Sequence, residues 1–153
     1  MAILSEVPYC EGQVIKSGTV TFVEQEPVIF TGTLKTTFSL AGPSNLKNMI
    51  ALSGVAAWKK TSGSGRREIR LRLERGVTLS GGQKARLALA RALYAEKDIY
   101  LLDDHFSAVD ARVGRSLFEE LLKEVVGRKT VVLATHQIHF LSKGDQMTTM
   151  EMG

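Results

Sequence analysis

Two aspartates, Asp103 and Asp104, end the short apolar run Ile99-Tyr100-Leu101-Leu102. A carboxylate delivered by the end of a buried strand is placed to hold Mg2+, directly or through water, and a second acid beside it can orient or deprotonate an attacking water. Sixteen residues before Ile99 stands Gln83, the last residue of Leu79-Ser80-Gly81-Gly82-Gln83. Two glycines at a helix start leave backbone N–H groups uncovered, Ser80 adds a hydroxyl, and the positive helix end completes an anion site suited to a terminal phosphate. Beyond the aspartates, Phe106-Ser107-Ala108-Val109-Asp110 leads through a helix to a second apolar strand that ends at Thr135-His136. A histidine directly after such a strand, in a sheet that also ends in Asp103, is a polar contact for a γ-phosphate. Each feature alone has a plainer explanation: a Ser-Gly-Gly turn can simply start a helix, paired aspartates can cap one, and a lone histidine is usually structural. Their order and spacing carry the chemical reading.

The elements that must position these residues are short. Val14–Val23 mixes β-branched and polar residues around Gly18 and predicts strand, turn and strand, broken by Gln25-Glu26-Pro27. Ser80 is an N-cap type, and Lys84–Glu96 places Ala85, Ala88, Leu89, Ala92 and Leu93 at helical spacing. Ile99–Leu102 predicts a buried parallel strand whose C-terminal end meets a ligand. Val113–Val126 predicts an amphipathic helix stopped by Gly127, and Thr130–Ala134 another buried strand. Alternation of strand and helix makes the fold class α/β with a parallel sheet.

Taken in order, these motifs resemble the ABC ATPase family. Leu79–Gln83 is similar to its signature, Ile99–Asp103 to its Walker B strand, Ser107–Asp110 to its D-loop and His136 to its switch histidine. Gln25, within Val23-Glu24-Gln25-Glu26-Pro27, is similar to the Q-loop glutamine. The wording resembles the multidrug-resistance-associated (C) subfamily of ABC transporters, and its first nucleotide-binding domain in particular, through Phe30-Thr31-Gly32-Thr33 and an Asp at position 104. The resemblance covers residues 2–34 and 74–153. It implies a P-loop NTPase fold of ABC ATPase type that binds and hydrolyses ATP with Mg2+. It further implies that Asp103 and Gln25 assist the metal, Asp104 positions water, His136 contacts the γ-phosphate, and Ser80, Gly81, Gly82, Gln83 and Asp110 bind nucleotide. Implied partners are a second nucleotide-binding domain, with the signature acting in trans, and the transmembrane domains of a parent exporter, at the cytoplasmic face of a membrane.

Three departures stand out. Asp104 occupies the position of a catalytic Glu and is one methylene shorter, about 1.5 Å less reach against a base–water distance of about 2.6–3.2 Å. His105 replaces the proline usual at that position. No Gly-x-x-x-x-Gly-Lys-Ser/Thr run occurs in the 153 residues, so the cradle for the β- and γ-phosphates is missing. Ala2-Ile3-Leu4 looks like the last turn of the helix that should follow such a loop, and an N-terminally truncated domain is expected.

Residues 36–73, where the family has a helical subdomain, resemble nothing in it. Read from the third base of each codon, Lys35–Gly42 can encode Asp-Asn-Ile-Leu-Phe-Gly. In the same frame Ala57–Leu73 can encode Val-Glu-Glu-Asp-Ile-Arg-Gln-Trp-Glu-Glu-Gly-Asp-Lys-Thr-Glu-Ile-Gly, which joins Glu74-Arg75-Gly76-Val77 as the family would. The expectation is a displaced reading frame between about Lys35 and Glu74, with a divergent insertion as the alternative. The organisation is then 1–35 as the Q-loop part, 36–73 as the anomalous part, and 74–153 as the part carrying signature, Walker B, D-loop and switch histidine.

Composition narrows the classes. Of the formal charge of +4, residues 36–73 hold seven Lys/Arg against one acid, whereas the other 115 residues hold 13 basic and 15 acidic groups. The basic excess therefore belongs to the anomalous stretch, and no nucleic-acid partner is expected. No apolar run reaches 18 residues, no basic segment precedes the N-terminal apolar patch, and the single Cys10 cannot form an internal disulfide. Two further readings stay open. One is a non-enzymatic truncated or pseudogene-like fragment. The other, a DNA-repair-type ABC ATPase, calls for coiled-coil heptads that do not occur here.

Overall fold

Three strands lie parallel in the order β1-β4-β5, where β1 is Val20–Val23, β4 is Ile99–Asp103 and β5 is Thr130–Ala134. The computed structural model describes residues 12–29, 32–33, 72–73, 79–107, 109–125 and 127–149, with Leu4 and Thr36 besides. Among the described residues two helices accompany the sheet: α1, Gly81–Tyr94, and α2, Ala111–Val125, followed after β5 by a 3-10 turn over Ile138–Lys143. A separate antiparallel pair joins β2, Gly32–Thr33, to β3, Arg72–Leu73. The α/β class with a parallel sheet is thus the observed one. Apart from Thr36, Arg72 and Leu73, the anomalous stretch 36–73 lies outside the described residues, as do Phe30, Thr31 and Ala2-Ile3.

Register aligns the strand ends. Val23 pairs with Leu102, and Asp103 pairs with Ala134. The residues that follow each strand, Gln25, Asp104 and Thr135-His136, therefore emerge along one sheet edge, the carboxyl edge where open parallel sheets bind ligands. At the opposite edge one carboxylate sets the register. Asp98 Oδ2 accepts from the Thr19 N–H and hydroxyl, both at 2.8 Å, and Oδ1 faces Lys129 Nζ at 3.4 Å. These bonds hold the Asp98 carboxyl down at about 2, the Thr19 backbone N–H being the largest cause. Gly18 makes this possible: its φ is +109°, and a Cβ there would stand 2.9 Å from the Asp98 Cβ.

The core lies between the sheet and the helices. Leu117, Phe118, Leu121 and Val125 of α2 are buried against Tyr100, Leu102, Phe106 and Phe140, a stripe at helical spacing. Phe106, Phe118 and Phe140 form an aromatic trio with centroid separations of 4.6–5.7 Å. Gly127 takes φ +71° just beyond α2, the left-handed conformation that ends helices.

Two expectations need correction. Val14 and Ile15 belong to no strand and are exposed, Ile15 by 83%, so the predicted strand–turn–strand reduces to Val20–Val23. β-branched content there reflects no pairing partner among the described residues. In α1 the expected Ala85, Ala88, Leu89, Ala92 and Leu93 are all buried, and Leu87 and Ala90 are buried with them. β5 is not buried on both sides, because among the described residues it pairs only with β4, and Val132 is 42% exposed.

Candidate functional site

The turn after β4 gathers the site. Asp104 is buried, with φ +40°, and its N–H donates to the Ala134 carbonyl at 2.8 Å. A non-glycine residue in the left-handed region is uncommon, and such strain collects at functional turns. Both carboxylate oxygens are engaged. Thr135 donates its hydroxyl to Oδ1 at 3.1 Å, and His136 Nδ1 lies 3.0 Å from Oδ2. The His136 side chain is 76% exposed, so the Nδ1 contact fixes the ring while Nε2 stays accessible. As an imidazolium it donates from both nitrogens, one to Asp104 and one outward.

Ser107 closes the turn. Its N–H and hydroxyl both donate to the Asp104 carbonyl, at 3.0 and 2.7 Å, and the hydroxyl accepts from Gln25 Nε2 at 3.3 Å. The end of β1, the turn after β4 and the start of the segment after β5 are thereby linked through side chains. His105, fully buried at 0% exposure, adds a second link: Nδ1 is 3.1 Å from the Glu24 carbonyl and Nε2 is 3.0 Å from the Ala85 carbonyl. A neutral imidazole donates from one of these nitrogens and an imidazolium from both.

The residues ahead of α1 form a capping box. The Gln83 N–H donates to Ser80 Oγ at 3.3 Å, and the Ser80 N–H donates to Gln83 Oε1 at 2.8 Å. The side chains of Ser80 and Gln83 are thus turned on their own helix. Gly81 is exposed, whereas Gly82 sits under α2: a Cβ there would meet Val113 Cγ1 at 3.4 Å. Asp110 caps α2, its Oδ1 accepting from the Arg112 and Val113 N–H groups at 3.1 and 3.0 Å.

Asp103, half-buried at the end of β4, is the remaining acid. Among the described residues no group of three or more His, Cys, Asp or Glu side chains forms a metal cluster. The donor set fits Mg2+ all the same, since that ion takes one or two carboxylates and completes its shell with water and phosphate oxygens. Asp103 offers the carboxylate and Gln25 an amide oxygen, its nitrogen being directed to Ser107.

The structure brings together Gln25, Asp104 and His136 through Ser107 and Thr135. Ser80 and Gln83 pair with each other at the start of α1, and Asp110 stands at the start of α2. Sequence reasoning missed the parts of Thr135, Ser107 and His105. Thr135 had a readable signal, a hydroxyl at a strand end beside the histidine. His105 had none beyond replacing an expected proline.

The sequence model of the ABC transporter family matches residues 6–107. Curated proteins match nearly the whole chain. A protein named "Putative ABC transporter C family member 15" from Arabidopsis thaliana is 39% identical over 156 residues, covering 99% of this chain and 14% of its own length. "ABC transporter C family member 9" from the same plant is 39% identical, with 99% and 10% covered. "ATP-binding cassette sub-family C member 4" from Homo sapiens is 38% identical over 157 residues, with 99% and 12% covered. The chain spans only about a tenth to a seventh of the length of these relatives.

Proposed function

Since the chain belongs to the ABC transporter family, we propose that it is an ATP-binding part of a C-subfamily transporter, supplying the signature, metal carboxylate, D-loop and switch histidine of an ATP-hydrolysing module. The observation that carries this reading is the convergence of Gln25, Ser107, Asp104, Thr135 and His136 at the carboxyl edge of one parallel sheet. Asp103, with help from Gln25, would hold Mg2+, which when bound would supply charge neutralisation for phosphate oxygens. Asp104 orients water, while His136, steadied through Nδ1, offers Nε2 to the terminal phosphate. Backbone N–H groups at Gly81 and Gly82, and the Ser80 hydroxyl proton while its oxygen stays with the Gln83 N–H, are offered to a nucleotide held by a second nucleotide-binding domain. The family's pattern of coupled transmembrane domains supplies the membrane partner; no helix among the described residues is long and apolar enough to cross a bilayer.

The 153 residues contain no phosphate loop. By themselves they lack the cradle for the β- and γ-phosphates that hydrolysis needs, and we read them as inactive in isolation. A non-enzymatic fragment is the competing function for the chain alone. The DNA-repair reading has no support, because the relatives named above are transporters. The deciding experiment is Mg2+-dependent ATP binding and hydrolysis by the full-length protein that contains this chain, with Asp103→Asn beside it. The proposal expects the substitution to abolish the Mg2+ dependence of nucleotide retention. Retention with its Mg2+ dependence intact would remove Asp103 from the metal site.

A further inference from the structure

His105 is a buried side chain that contacts two of the motif segments at once. It follows Asp104, its ring meets the Glu24 carbonyl next to Gln25 through Nδ1, and it meets the Ala85 carbonyl in the first turns of α1 through Nε2. It is wholly shielded from water and packs edge-on against Phe106 at 5.7 Å. A polar ring in such a place is retained only with partners; its loss removes a part-buried contact from the Glu24 carbonyl and a second contact from the Ala85 carbonyl, which already accepts within α1. Both carbonyls are main-chain atoms of segments that must keep their positions for other residues to work. Gln25 reaches Ser107 from the residue after Glu24, and Gln83 closes the capping box two residues before Ala85. Proline, expected at this position, has no side-chain donor and could make neither contact.

We propose that His105 is a positioning residue that clamps the Q-loop segment and the signature helix to the turn carrying Asp104, so that the three move as one unit. The assignment rests on the functional reading above for its consequence in catalysis, and on geometry alone for the clamp. Small errors in such support cost about 10–100-fold in activity, and they act on the reacting arrangement more than on initial binding.

Two amides separate the arms of the clamp. An Asn side chain places its nitrogen near the Nδ1 position and a Gln side chain near the Nε2 position. His105→Asn therefore keeps the Glu24 contact, His105→Gln keeps the Ala85 contact, and His105→Pro keeps neither. Hydrogen exchange of the full-length protein reads residues 22–29 and 81–88 separately. In His105→Pro both segments exchange faster, by about tenfold on the side to which the ring donates its proton. His105→Asn releases only 81–88, and His105→Gln only 22–29. Steady-state ATP hydrolysis by His105→Pro falls at least about tenfold in kcat with KM within about twofold. Identical exchange in the Asn and Gln variants, or faster exchange that extends to residues 130–134, makes His105 an ordinary core residue and overturns the clamp. The segment-specific exchange pattern with unchanged kcat upholds the clamp and counts against the hydrolytic reading. Should the proline variant fail to fold, the Asn and Gln pair still decides.

Discussion

Phe106 ties the site to the core, and replacing it measures how much the turn depends on that anchor. The ring is 1% exposed and packs on Phe118 at 5.7 Å, Phe140 at 5.1 Å and His105 at 5.7 Å. Phe106→Ala removes the ring from a site closed by α2 on one side and the 3-10 turn on the other, where collapse is restricted. Truncations of this kind cost about 3–5 kcal/mol, against a total stability of about 5–15 kcal/mol for a domain. For a domain of this size each kcal/mol moves Tm by about 2–4 °C, so the expected fall is about 6–20 °C. Phe106→Leu keeps most of the volume and should cost less than about 1.5 kcal/mol, or under about 6 °C. Thermal unfolding followed by circular dichroism gives both values. A fall below about 3 °C for the alanine variant, or equal falls for the two, would show that Phe106 is not the anchor described here.

Further outcomes follow from single contacts. Asp98 has its carboxyl lowered from 3.8 to about 2, so its contribution is full above the unfolded value and is lost as pH falls from about 4 to about 2. Asp98→Asn should remove the pH dependence within that window and lower stability at neutral pH, as an acid titration by circular dichroism would show; an unchanged acid limb would contradict the staple. Ser80→Ala breaks the capping box and should cost about 1 kcal/mol, visible as faster exchange in the first turn of α1 with the rest of the helix unaffected. Gly114 lies within α2, and a Cβ there would meet the Phe106 carbonyl at an ordinary 3.5 Å; Gly114→Ala should therefore raise stability by about 0.5–1 kcal/mol, and a lower Tm would refute it. Sequencing the transcript across codons 35–74 should show the family-like peptide in the third-base frame, and any other third-base reading sinks the displaced-frame account.

The sheet was legible because its strands are apolar runs bounded by polar residues, and the positions of the candidate residues Asp103, Asp104 and His136 because they stand at the ends of such runs. Asp103, Asp104 and His136 needed only that periodicity. The capping box was half legible: Ser80 announced the cap, but that Gln83 would turn back to the Ser80 N–H depends on backbone angles that spacing does not state. Asp110 was assigned to nucleotide, while the structure shows its carboxylate on the α2 N–H groups, a local contact that any Asp before a helix can make. Val14 and Ile15 misled because propensity does not say whether a pairing partner exists. His105 was invisible, since its two partners are backbone carbonyls 81 and 20 residues away, and carbonyls leave no trace in side-chain sequence.

β5 carries one more consequence. Among the described residues no strand pairs with its outer edge along Thr130–Ala134, a run with no charge and no proline, and Val132 lies open beside it. Natural edge strands are usually guarded by exactly those devices, and β5 has none. A run of this kind behaves as an interior strand: whatever segment lies against it in the parent protein also keeps it soluble. Expressed free of that neighbour, the chain should pair with its own copies through β5 and precipitate in proportion to concentration. Lysine at Val132 would restore solubility without touching the residues at the carboxyl end of the strand.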